Sequence, residues 1–501
     1  MNINEKLKKY KEYKERVSAY KYLFSVAGFD KETIAPVGGN DFFNKKLNYM
    51  VGEAYKIEND KEIYELINDL SKEDLGEELN REIYLSKKNL ENVMSFTKEE
   101  TMEFDLACSS SFDAWLRAKN NNNYDEFAPY LEKLIVLSKD RAKKRNPNIL
   151  PYNLYLSDYE DGTNILMYDK FFDLLKKELI PLIKEVNKRQ DKVDDSFLYK
   201  YYPKDKQVLF SKELLKYLGF DASWGYMGES EHPFTSGFSK YDVRITTNYN
   251  EHNVVSNIFS IIHEVGHAHY EHNIDSEYDD LEIRFMVSSG MHESQSRFLE
   301  NYIGKRKSFW VNLYPKLQEL FPENLSNVSL DDFCRAINVS RSSLIRTDAD
   351  ELTYPMHILI RYEIEKGIFD GSIDFKDLSK IWKEKYKEYL GIDVKDDASG
   401  ILQDVHWASA SFGYFPTYAL GSAMGAQIYK QLEKDEAVDY LLENNHLDII
   451  IDYLKDTFQK YGALYDYDET LLILTNERFD PRYYVDYLKN KYKKLYEIKE
   501  D

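Results

Sequence analysis

The sequence predicts one large, mostly α-helical protein. Long runs carry apolar residues at helical spacing, and sustained alternation of apolar and polar residues is rare. The 501 residues include only 12 Pro and 21 Gly, so helix-breaking positions are few. Length alone suggests about three domains, but no Ser/Gly/Pro-rich linker or low-complexity tract divides the chain. We therefore expect a single catalytic unit over residues 1–501.

Composition excludes several classes of partner. The formal net charge of −21 argues against nucleic acid and anionic membranes. No apolar run approaches the about 20 residues of a membrane span, and the N-terminal stretch lacks the apolar core of a signal peptide. The two cysteines, Cys108 and Cys334, are too few for a disulfide framework and are expected as buried free thiols. The sequence thus predicts a cytoplasmic protein in a reducing compartment.

The first part of the chain, residues 1–145, predicts helices and carries no chemical motif. Residues 1–28 form one long amphipathic pattern rich in Lys, Glu and Tyr. A Pro- and Gly-containing break follows at residues 35–40, and helical patterns then resume. We interpret this part as a helical scaffold that walls a cleft, with residues 146–501 carrying the chemistry.

The middle of the chain contains two predicted breaks and the best strand. Pro151 opens a stretch, 151–162, that interrupts the helical pattern, and residues 225–237 are Gly-rich and predicted to be irregular. Residues 241–249 (YDVRITTNY) alternate as a strand does. As an exposed edge strand it would pair with an extended peptide; the alternative is a small structural hairpin.

The stretch Asn257 to Tyr270 (NIFSIIHEVGHAHY) contains the H-E-x-x-H pattern on a predicted helix. Positions i and i+4 share a helix face, so His263 and His267 can offer two imidazole nitrogens to one metal ion. Glu264 lies about 100° round the helix and can reach a water molecule instead of the metal. The alternative is two unrelated helical histidines beside a solvated glutamate.

A metal helix that supplies two histidines needs a third ligand, which a following helix can provide. Residues 281–303 predict that helix, and Glu293 is the candidate ligand. His292 is an alternative on spacing alone. A further alternative is that Glu293 forms an ordinary i,i+4 ion pair with Arg297.

Two later stretches add polar candidates. His357, Arg361 and Glu365 share one face of a predicted helix, which indicates either a solvated charge ladder or the lining of a polar cleft. His406 follows in Asp404-Val405-His406-Trp407. A His and a Tyr near a metal can donate hydrogen bonds to an oxyanion; the sequence does not choose between Tyr414 and Tyr418.

Six ordered motifs now place the chain beside a known family. They are His232-Pro233-Phe234; Asp242-Val243-Arg244-Ile245-Thr246; HEVGH at 263–267; His292-Glu293-Ser294-Gln295; Ile345-Arg346-Thr347 followed by Ala349-Asp350-Glu351-Leu352-Thr353-Tyr354 and then by His357-Ile358 and Arg361; and Gly400-Ile401-Leu402-Gln403-Asp404-Val405-His406-Trp407. With these motifs the chain resembles the M32 metallocarboxypeptidases.

The resemblance implies a mostly α, large helical zincin-type metallopeptidase fold with a deep groove and a short active-site β-sheet. It also implies Zn²⁺, sometimes replaced by Co²⁺, and a homodimer. The expected activity is the release of single residues from peptide C-termini with broad side-chain tolerance. Rival hypotheses are an endo-acting zinc oligopeptidase, which would share the metal helix, and a non-catalytic helical binding protein.

The resemblance also assigns residue roles. The metal ligands would be His263, His267 and Glu293, with Glu264 as general base and then proton donor. Polarisation of the scissile carbonyl would fall to His406 with Tyr418 or Tyr414. An exopeptidase needs a cation for the terminal carboxylate of its substrate. The substrate-binding candidates are Arg346 first, then Arg361 and Arg244, and His232.

Overall fold

The computed structural model describes residues 1–499, and the predicted mostly helical fold is confirmed. The elements before the metal helix are α1 (Ile3–Thr33), α2 (Asn40–Glu58), α3 (Lys61–Leu70), α4 (Glu77–Met94), α5 (Lys98–Asn121), α6 (Ala128–Arg145), α7 (Pro151–Tyr159), α8 (Ile165–Asn187), α9 (Lys204–Tyr217), β1 (Gly225–Glu229), β2 (Thr235–Ser239) and β3 (Asp242–Thr247).

The metal helix and the elements after it are α10 (Val254–Asn273), α11 (Glu282–Phe285), α12 (Ser289–Arg297), α13 (Lys307–Trp310), α14 (Tyr314–Leu320), α15 (Pro322–Leu325), α16 (Leu330–Ala336), α17 (Tyr354–Asp370), α18 (Leu378–Leu390), α19 (Phe415–Asp435), α20 (Val438–Glu443), α21 (Leu447–Thr457), α22 (Tyr467–Thr475) and α23 (Arg482–Leu495). A π-helical segment, Phe298–Ile303, continues α12. Along residues 1–499, no helix is both long and apolar enough to cross a membrane.

The short sheet has the strand order β1-β3-β2, with β3 parallel to β1 and antiparallel to β2. The prediction of β3 as an exposed edge strand is therefore wrong, because β3 is central and β2 lies at the edge. The prediction that residues 225–237 are irregular is also wrong, since they supply β1 and part of β2. A Cβ built on Gly237 would lie 2.2 Å from Glu271 Oε2, so a larger residue here would displace the Glu271 carboxylate, which Arg284 Nη2 and His292 Nε2 hold.

Two predicted helix boundaries differ from the structure. Residues from Pro151 onward do not interrupt the helical pattern, because Pro151 occupies the first turn of α7, where its missing N–H costs no hydrogen bond. Residues 281–303 do not form one helix. The chain leaves α11 at Met286, and Ser288 then caps α12 by accepting a hydrogen bond from the Met291 N–H at 3.3 Å.

The polar face of α17 is buried. His357, Arg361 and Glu365 are each 0% exposed, so the solvated-ladder interpretation is wrong. Each side chain instead has a partner inside the protein: His357 contacts Tyr386 Oη and Glu365 accepts from Trp407 Nε1. Buried polar groups need such partners because an unpaired one costs free energy.

One continuous hydrophobic core includes residues from Leu85 to Tyr496. A smaller cluster lies among α1, α3 and α4. Buried polar contacts join the N-terminal helices to the rest of the chain: Lys14 Nζ donates to Glu282 Oε1 at 2.6 Å, and Trp115 Nε1 donates to the Leu402 carbonyl at 3.0 Å. The two cysteines are free thiols, as predicted, but both are half-buried.

Glycines set the position of α12 between α10 and α19. A Cβ built on Gly266 of α10 would lie 2.6 Å from the Gln295 carbonyl oxygen. A Cβ built on Gly421 of α19 would lie 2.8 Å from the Gly290 carbonyl oxygen and 2.9 Å from Glu293 Cβ. The backbones of the three helices are therefore in close contact at the level of Glu293.

Candidate metal centre

Three side chains from two helices converge at one point. His263 and His267 lie one turn apart on α10, and Glu293 approaches them from α12. Glu293 Oε2 lies 3.7 Å from His263 Nε2 and 3.5 Å from His267 Nε2. The three ligand atoms all lie within 4.8 Å of one another.

This geometry fits a tetrahedral metal ion. Ligand bonds of about 2.0–2.2 Å in a tetrahedral site put neighbouring ligand atoms about 3.4 Å apart, close to the two observed separations. Two imidazole nitrogens and one carboxylate oxygen also form the ligand set of a catalytic zinc site, which leaves a fourth position for water or substrate. The three residues therefore fit the metal that the sequence predicts.

Each histidine is held from its other ring nitrogen. His263 Nδ1 lies 2.8 Å from Glu300 Oε2. His267 Nδ1 lies 2.6 Å from His292 Nδ1, and His292 Nε2 lies 2.9 Å from Glu271 Oε1. Such partners fix the tautomer in which Nε2 faces the metal. His292, the alternative ligand to Glu293 on spacing alone, thus contacts a predicted ligand and lies outside the three-residue cluster.

Glu293 uses its two oxygens differently. Oε2 faces the histidines, while Oε1 accepts from Arg297 Nε at 2.7 Å. The i,i+4 ion pair and the metal-facing position therefore coexist. Burial raises the pKa of Glu293, but Arg297 and the histidines outweigh it and hold the pKa well below its usual range. Burial lowers the pKa of His267 to about 4, which keeps its imidazole neutral and able to coordinate a metal ion.

Glu264 lies outside the three-residue ligand cluster and contacts the sheet. Thr235 of β2 donates from Oγ1 to Glu264 Oε2 at 2.6 Å. Burial raises the pKa of Glu264, while His263 and Thr235 oppose the rise. A carboxylate with a raised pKa accepts and returns a proton more readily near neutral pH.

Comparison with known proteins now decides the family. Residues 9–492 match the family model described as Carboxypeptidase Taq (M32) metallopeptidase. The chain belongs to the M32 family. It is 39% identical to Carboxypeptidase 1 of Bacillus subtilis over 99% of this chain and 100% of the relative.

Two other M32 relatives agree. Thermostable carboxypeptidase 1 of Thermus thermophilus is 31% identical over 96% of this chain and 97% of its own. The crystal structure of the M32 carboxypeptidase from Deinococcus radiodurans R1 superposes with a TM-score of 0.95 at 27% identity, covering 99% of this chain and all of that one. Membership in an M32 metallopeptidase family implies a metal cofactor.

A second polar cluster adjoins the predicted metal ligands of this M32 chain. Arg297, which binds Glu293, lies over the Tyr354 ring at 4.8 Å. Tyr354 Oη accepts from Arg346 Nη1 at 3.2 Å. Three contacts, through Tyr354 and Arg297, therefore connect Arg346, the first-ranked candidate for the substrate carboxylate, to Glu293, the predicted third metal ligand.

The three candidate arginines differ in free hydrogen-bond donors. A guanidinium carries five N–H donors. Arg361 is fully buried and makes five hydrogen bonds, to Asp404, Gln403, Tyr386 and the His357 carbonyl. Arg346 makes three, to Asp404 and Tyr354. Arg244 makes two, both to Asp242. Unused donors thus remain on Arg346 and Arg244.

The predicted oxyanion donors lie together. The His406 ring centroid lies 5.6 Å from that of Tyr414 and 6.5 Å from that of Tyr418. Burial lowers the pKa of His406 to about 4, and Arg346 contributes to the shift, so the imidazole is neutral. Burial raises the pKa of both phenols, and the Glu293 carboxylate adds to the rise. Both tyrosines are therefore neutral hydrogen-bond donors.

His232 is more exposed to solvent than the residues of these clusters. It is exposed in the loop between β1 and β2, three residues before Thr235. Sequence reasoning missed four residues that the structure brings to the site. Thr235 directly follows the His-Pro-Phe motif and Tyr354 ends the Ala349–Tyr354 motif, but no local spacing pointed to Glu271 or Glu300.

Proposed function

We propose that this M32 chain is a zinc-dependent metallocarboxypeptidase that hydrolyses the C-terminal peptide bond of peptides with broad specificity. The observation that carries the proposal is the triangle of His263, His267 and Glu293 beside Glu264. The two-imidazole, one-carboxylate set favours Zn²⁺, with Co²⁺ as a substitute. When bound, the ion would supply Lewis-acid polarisation of the scissile carbonyl and a lowered pKa for a nucleophilic water.

The chain itself performs the proton transfers. Glu264 takes the proton of the attacking water and later gives it to the leaving amine nitrogen. Thr235 holds Glu264 Oε2 at 2.6 Å and so fixes the direction of that carboxylate. Neutral His406, with Tyr418 or Tyr414, donates a hydrogen bond to the oxygen that becomes negative.

Arg346 is the proposed receptor for the substrate's terminal carboxylate. Arg346 is 7% exposed, and its guanidinium retains unused N–H donors. It donates to Tyr354, which lies against Arg297, the partner of Glu293. A carboxylate entering a buried site loses hydration, so a charged donor must replace the lost water. Arg244 remains the second candidate. Arg361 is disfavoured because all its donors already have partners.

The N-terminal part, 1–145, would wall the substrate cleft within a single catalytic unit over residues 1–501. A cavity of about 590 Å³ supports this role, because it is lined by Ser18 and Tyr22 of α1 and by Gly237 of β2. The same edge strand carries Thr235, which binds Glu264. A peptide bound along β2 would therefore pass between α1 and the metal helix.

One digest tests the proposed activity. The zinc-loaded protein is incubated with a peptide series in two forms, free acid and C-terminal amide, and products are followed by mass spectrometry. We expect stepwise loss of C-terminal residues from the free acids and little cleavage of the amides. Internal cleavage of both forms would favour the zinc oligopeptidase, and no cleavage by the metal-loaded protein would favour the binding protein.

The proposed homodimer has a candidate surface. Large apolar side chains are exposed along the α1–α2 hairpin, including Ile34 at 74%, Val37 at 81% and Phe42 at 69%. Exposed apolar patches of this kind commonly mark interfaces. Light scattering of the wild type and of Phe42→Glu tests it. A dimer that becomes a monomer in the variant supports the surface, and a monomeric wild type rejects the dimer.

A further inference from the structure

The loop of residues 406–414 carries two of the proposed oxyanion donors, one at each end. His406 is its first residue, and Tyr414 is its last, directly before α19. Two residues of the loop lie in the left-handed backbone region, Ala410 at φ 56° and Gly413 at φ 84°. Alanine rarely adopts that conformation, which persists only where surrounding contacts hold it. The shape of this loop therefore depends on the elements that hold it.

A single buried carboxylate binds both ends of the loop. Glu365 Oε1 accepts from Trp407 Nε1 at 2.7 Å, and Glu365 Oε2 accepts from the Gly413 N–H at 2.8 Å. Trp407 directly follows His406, and Gly413 directly precedes Tyr414. Glu365 is 0% exposed and belongs to α17, a helix of the hydrophobic core. The carboxylate thus joins the two ends of the loop to one core helix.

Helix α7 holds the same carboxylate and the same loop from another side. Tyr152 of α7 donates from Oη to Glu365 Oε2 at 2.8 Å. The backbone of α7 also abuts the loop, because a Cβ built on Gly413 would lie 2.7 Å from the Tyr155 carbonyl carbon. Of the three donors to Glu365, two therefore belong to the loop and one lies outside it.

The position of the His406 ring depends on the loop. His406 Nδ1 is buried and has no hydrogen-bond partner among residues 1–499. The ring instead lies against two aromatic rings at the other end of the loop, with centroid distances of 4.4 Å to Phe415 and 5.6 Å to Tyr414. A change in the shape of the loop would therefore move His406 and Tyr414 together.

We propose that Glu365 is a positioning residue for the peptidase reaction. By holding Trp407 and Gly413, it sets where His406 and Tyr414 lie relative to the scissile carbonyl. Glu365 acts through the loop and not on the substrate. The inference rests on the proposed function, which gives the two donors their role. An oxyanion donor works only within hydrogen-bond distance of the oxygen that becomes negative, so a small displacement of the loop would slow the reaction.

Glu365→Gln tests this role with almost no change in side-chain shape. A carboxamide has one acceptor oxygen, so it can accept from Trp407 or from Gly413, but its NH₂ group then faces the other N–H donor. One end of the loop is released. In the metal-loaded variant we expect kcat for a free-acid peptide to fall by about ten- to a hundredfold, with KM nearly unchanged and the metal retained.

A second readout separates positioning from a merely structural role. A peptide phosphonate resembles the tetrahedral intermediate, so its inhibition constant should rise in Glu365→Gln by the same factor as kcat/KM falls. A residue that only stabilised the fold would change the urea midpoint of unfolding and leave the phosphonate affinity of the folded protein unchanged.

Two single-donor variants complete the test. Trp407→Phe removes the donor beside His406 and should also lower kcat, which keeps the test available if Glu365→Gln does not fold. The matched control is Tyr152→Phe, which removes the donor on α7, leaves both loop bonds intact and should keep the wild-type kcat. Circular dichroism checks that each variant is folded.

Three results would overturn the inference: a wild-type kcat in Glu365→Gln, a loss confined to KM, or equal losses of kcat in Tyr152→Phe and Trp407→Phe. Failure of the proposed function gives a different result, because the metal-loaded wild type would then leave the free-acid peptide uncleaved. That result would reject the proposed function and this inference with it.

Discussion

At the residue scale, the two carboxylate oxygens of Glu293 face different partners. Its Oε2 faces His263 and His267, and its Oε1 accepts from Arg297. Because the arginine occupies Oε1, a metal ion would meet Oε2, which also accepts from Ser296 Oγ at 3.1 Å. The arginine also keeps the carboxylate ionised in a buried position, as metal binding requires.

Glu293→Ala should therefore remove most of the bound metal. His292→Ala should lower metal affinity less, by about 10- to 100-fold, because His292 only orients His267 through its Nδ1. Metal content by mass spectrometry and affinity by chelator competition measure both. An unchanged metal content in Glu293→Ala, or loss only in His292→Ala, would move the ligand role to His292.

Glu264→Gln should keep the metal and lose about a hundred- to ten-thousandfold in kcat. The amide preserves the shape and can still accept from Thr235, but it cannot take a proton from water. Peptide hydrolysis and metal content are measured on the same sample. Substantial turnover in the metal-loaded variant would show that another group acts as the base.

Arg346→Ala should reduce kcat/KM for free-acid peptides by about ten- to a hundredfold and abolish the preference for free acids over amides, with the metal retained. The reason is that Arg346 has unused donors near Glu293. Arg244→Ala is the comparison variant. Should it lose the free-acid preference while Arg346→Ala behaves as the wild type, the carboxylate receptor is Arg244. Arg361→Ala should instead lower stability, because it leaves Asp404 Oδ2 buried without its guanidinium partner, while Arg346 still binds Oδ1.

At the element scale, the site depends on how closely three helices pack. α12 carries Glu293 and lies between α10 and α19, and Gly266 and Gly421 form the contacts on its two sides. A side chain at either glycine would push α12 away from its neighbour. The distance between the two histidines and Glu293 is therefore set by helix packing, as well as by the H-E-x-x-H spacing.

Gly266→Ala should destabilise the fold by about 1–3 kcal/mol and weaken metal binding, because its Cβ would meet backbone atoms of Gln295 and Ser296. The matched control is Gly28→Ala on α1, where a Cβ meets no atom within 4 Å. There the better helix former should raise stability by up to about 1 kcal/mol. Urea unfolding and metal titration measure both variants. Wild-type stability and affinity in Gly266→Ala would refute the close-packing argument.

At the scale of the whole molecule, stability should depend on a buried carboxyl outside the metal ligands. Glu160, the residue that directly follows α7, accepts a hydrogen bond from the Gly290 N–H at 2.9 Å. This bond joins the end of α7 to the start of α12. Burial raises the pKa of Glu160 to about 8. The folded state therefore holds a proton that the unfolded chain releases above about pH 4.5.

The stability that this proton contributes is full below the unfolded pKa and is lost as the pH rises to about 8. Glu160→Gln, which cannot ionise, should gain stability relative to the wild type across that window, by up to about 1.4 kcal/mol per pH unit. Urea unfolding at several pH values measures the difference. Exposed Glu319→Gln controls for the loss of one charge, and a flat difference for Glu160→Gln would contradict the shifted pKa.

The sequence by itself determined the features that depend on local spacing. Helical periodicity gave the mostly α fold, and the i,i+4 spacing placed His263 and His267 on one face, because both depend only on positions within one helix. The ordered motifs identified the family. β1 and β2 were not predicted, because Gly225, Gly228 and Gly237 interrupt the alternation of apolar and polar residues that predicts a strand.

Only the tertiary structure decided which side chains meet across elements. It paired His263 with Glu300 and His267 with His292, and it divided Glu293 between the histidines and Arg297. It also distinguished Arg361, whose N–H donors all have partners, from Arg346, which keeps some N–H donors unused. Hydrogen bonds between separate elements depend on how those elements pack, and residue spacing along the chain carries no measure of that.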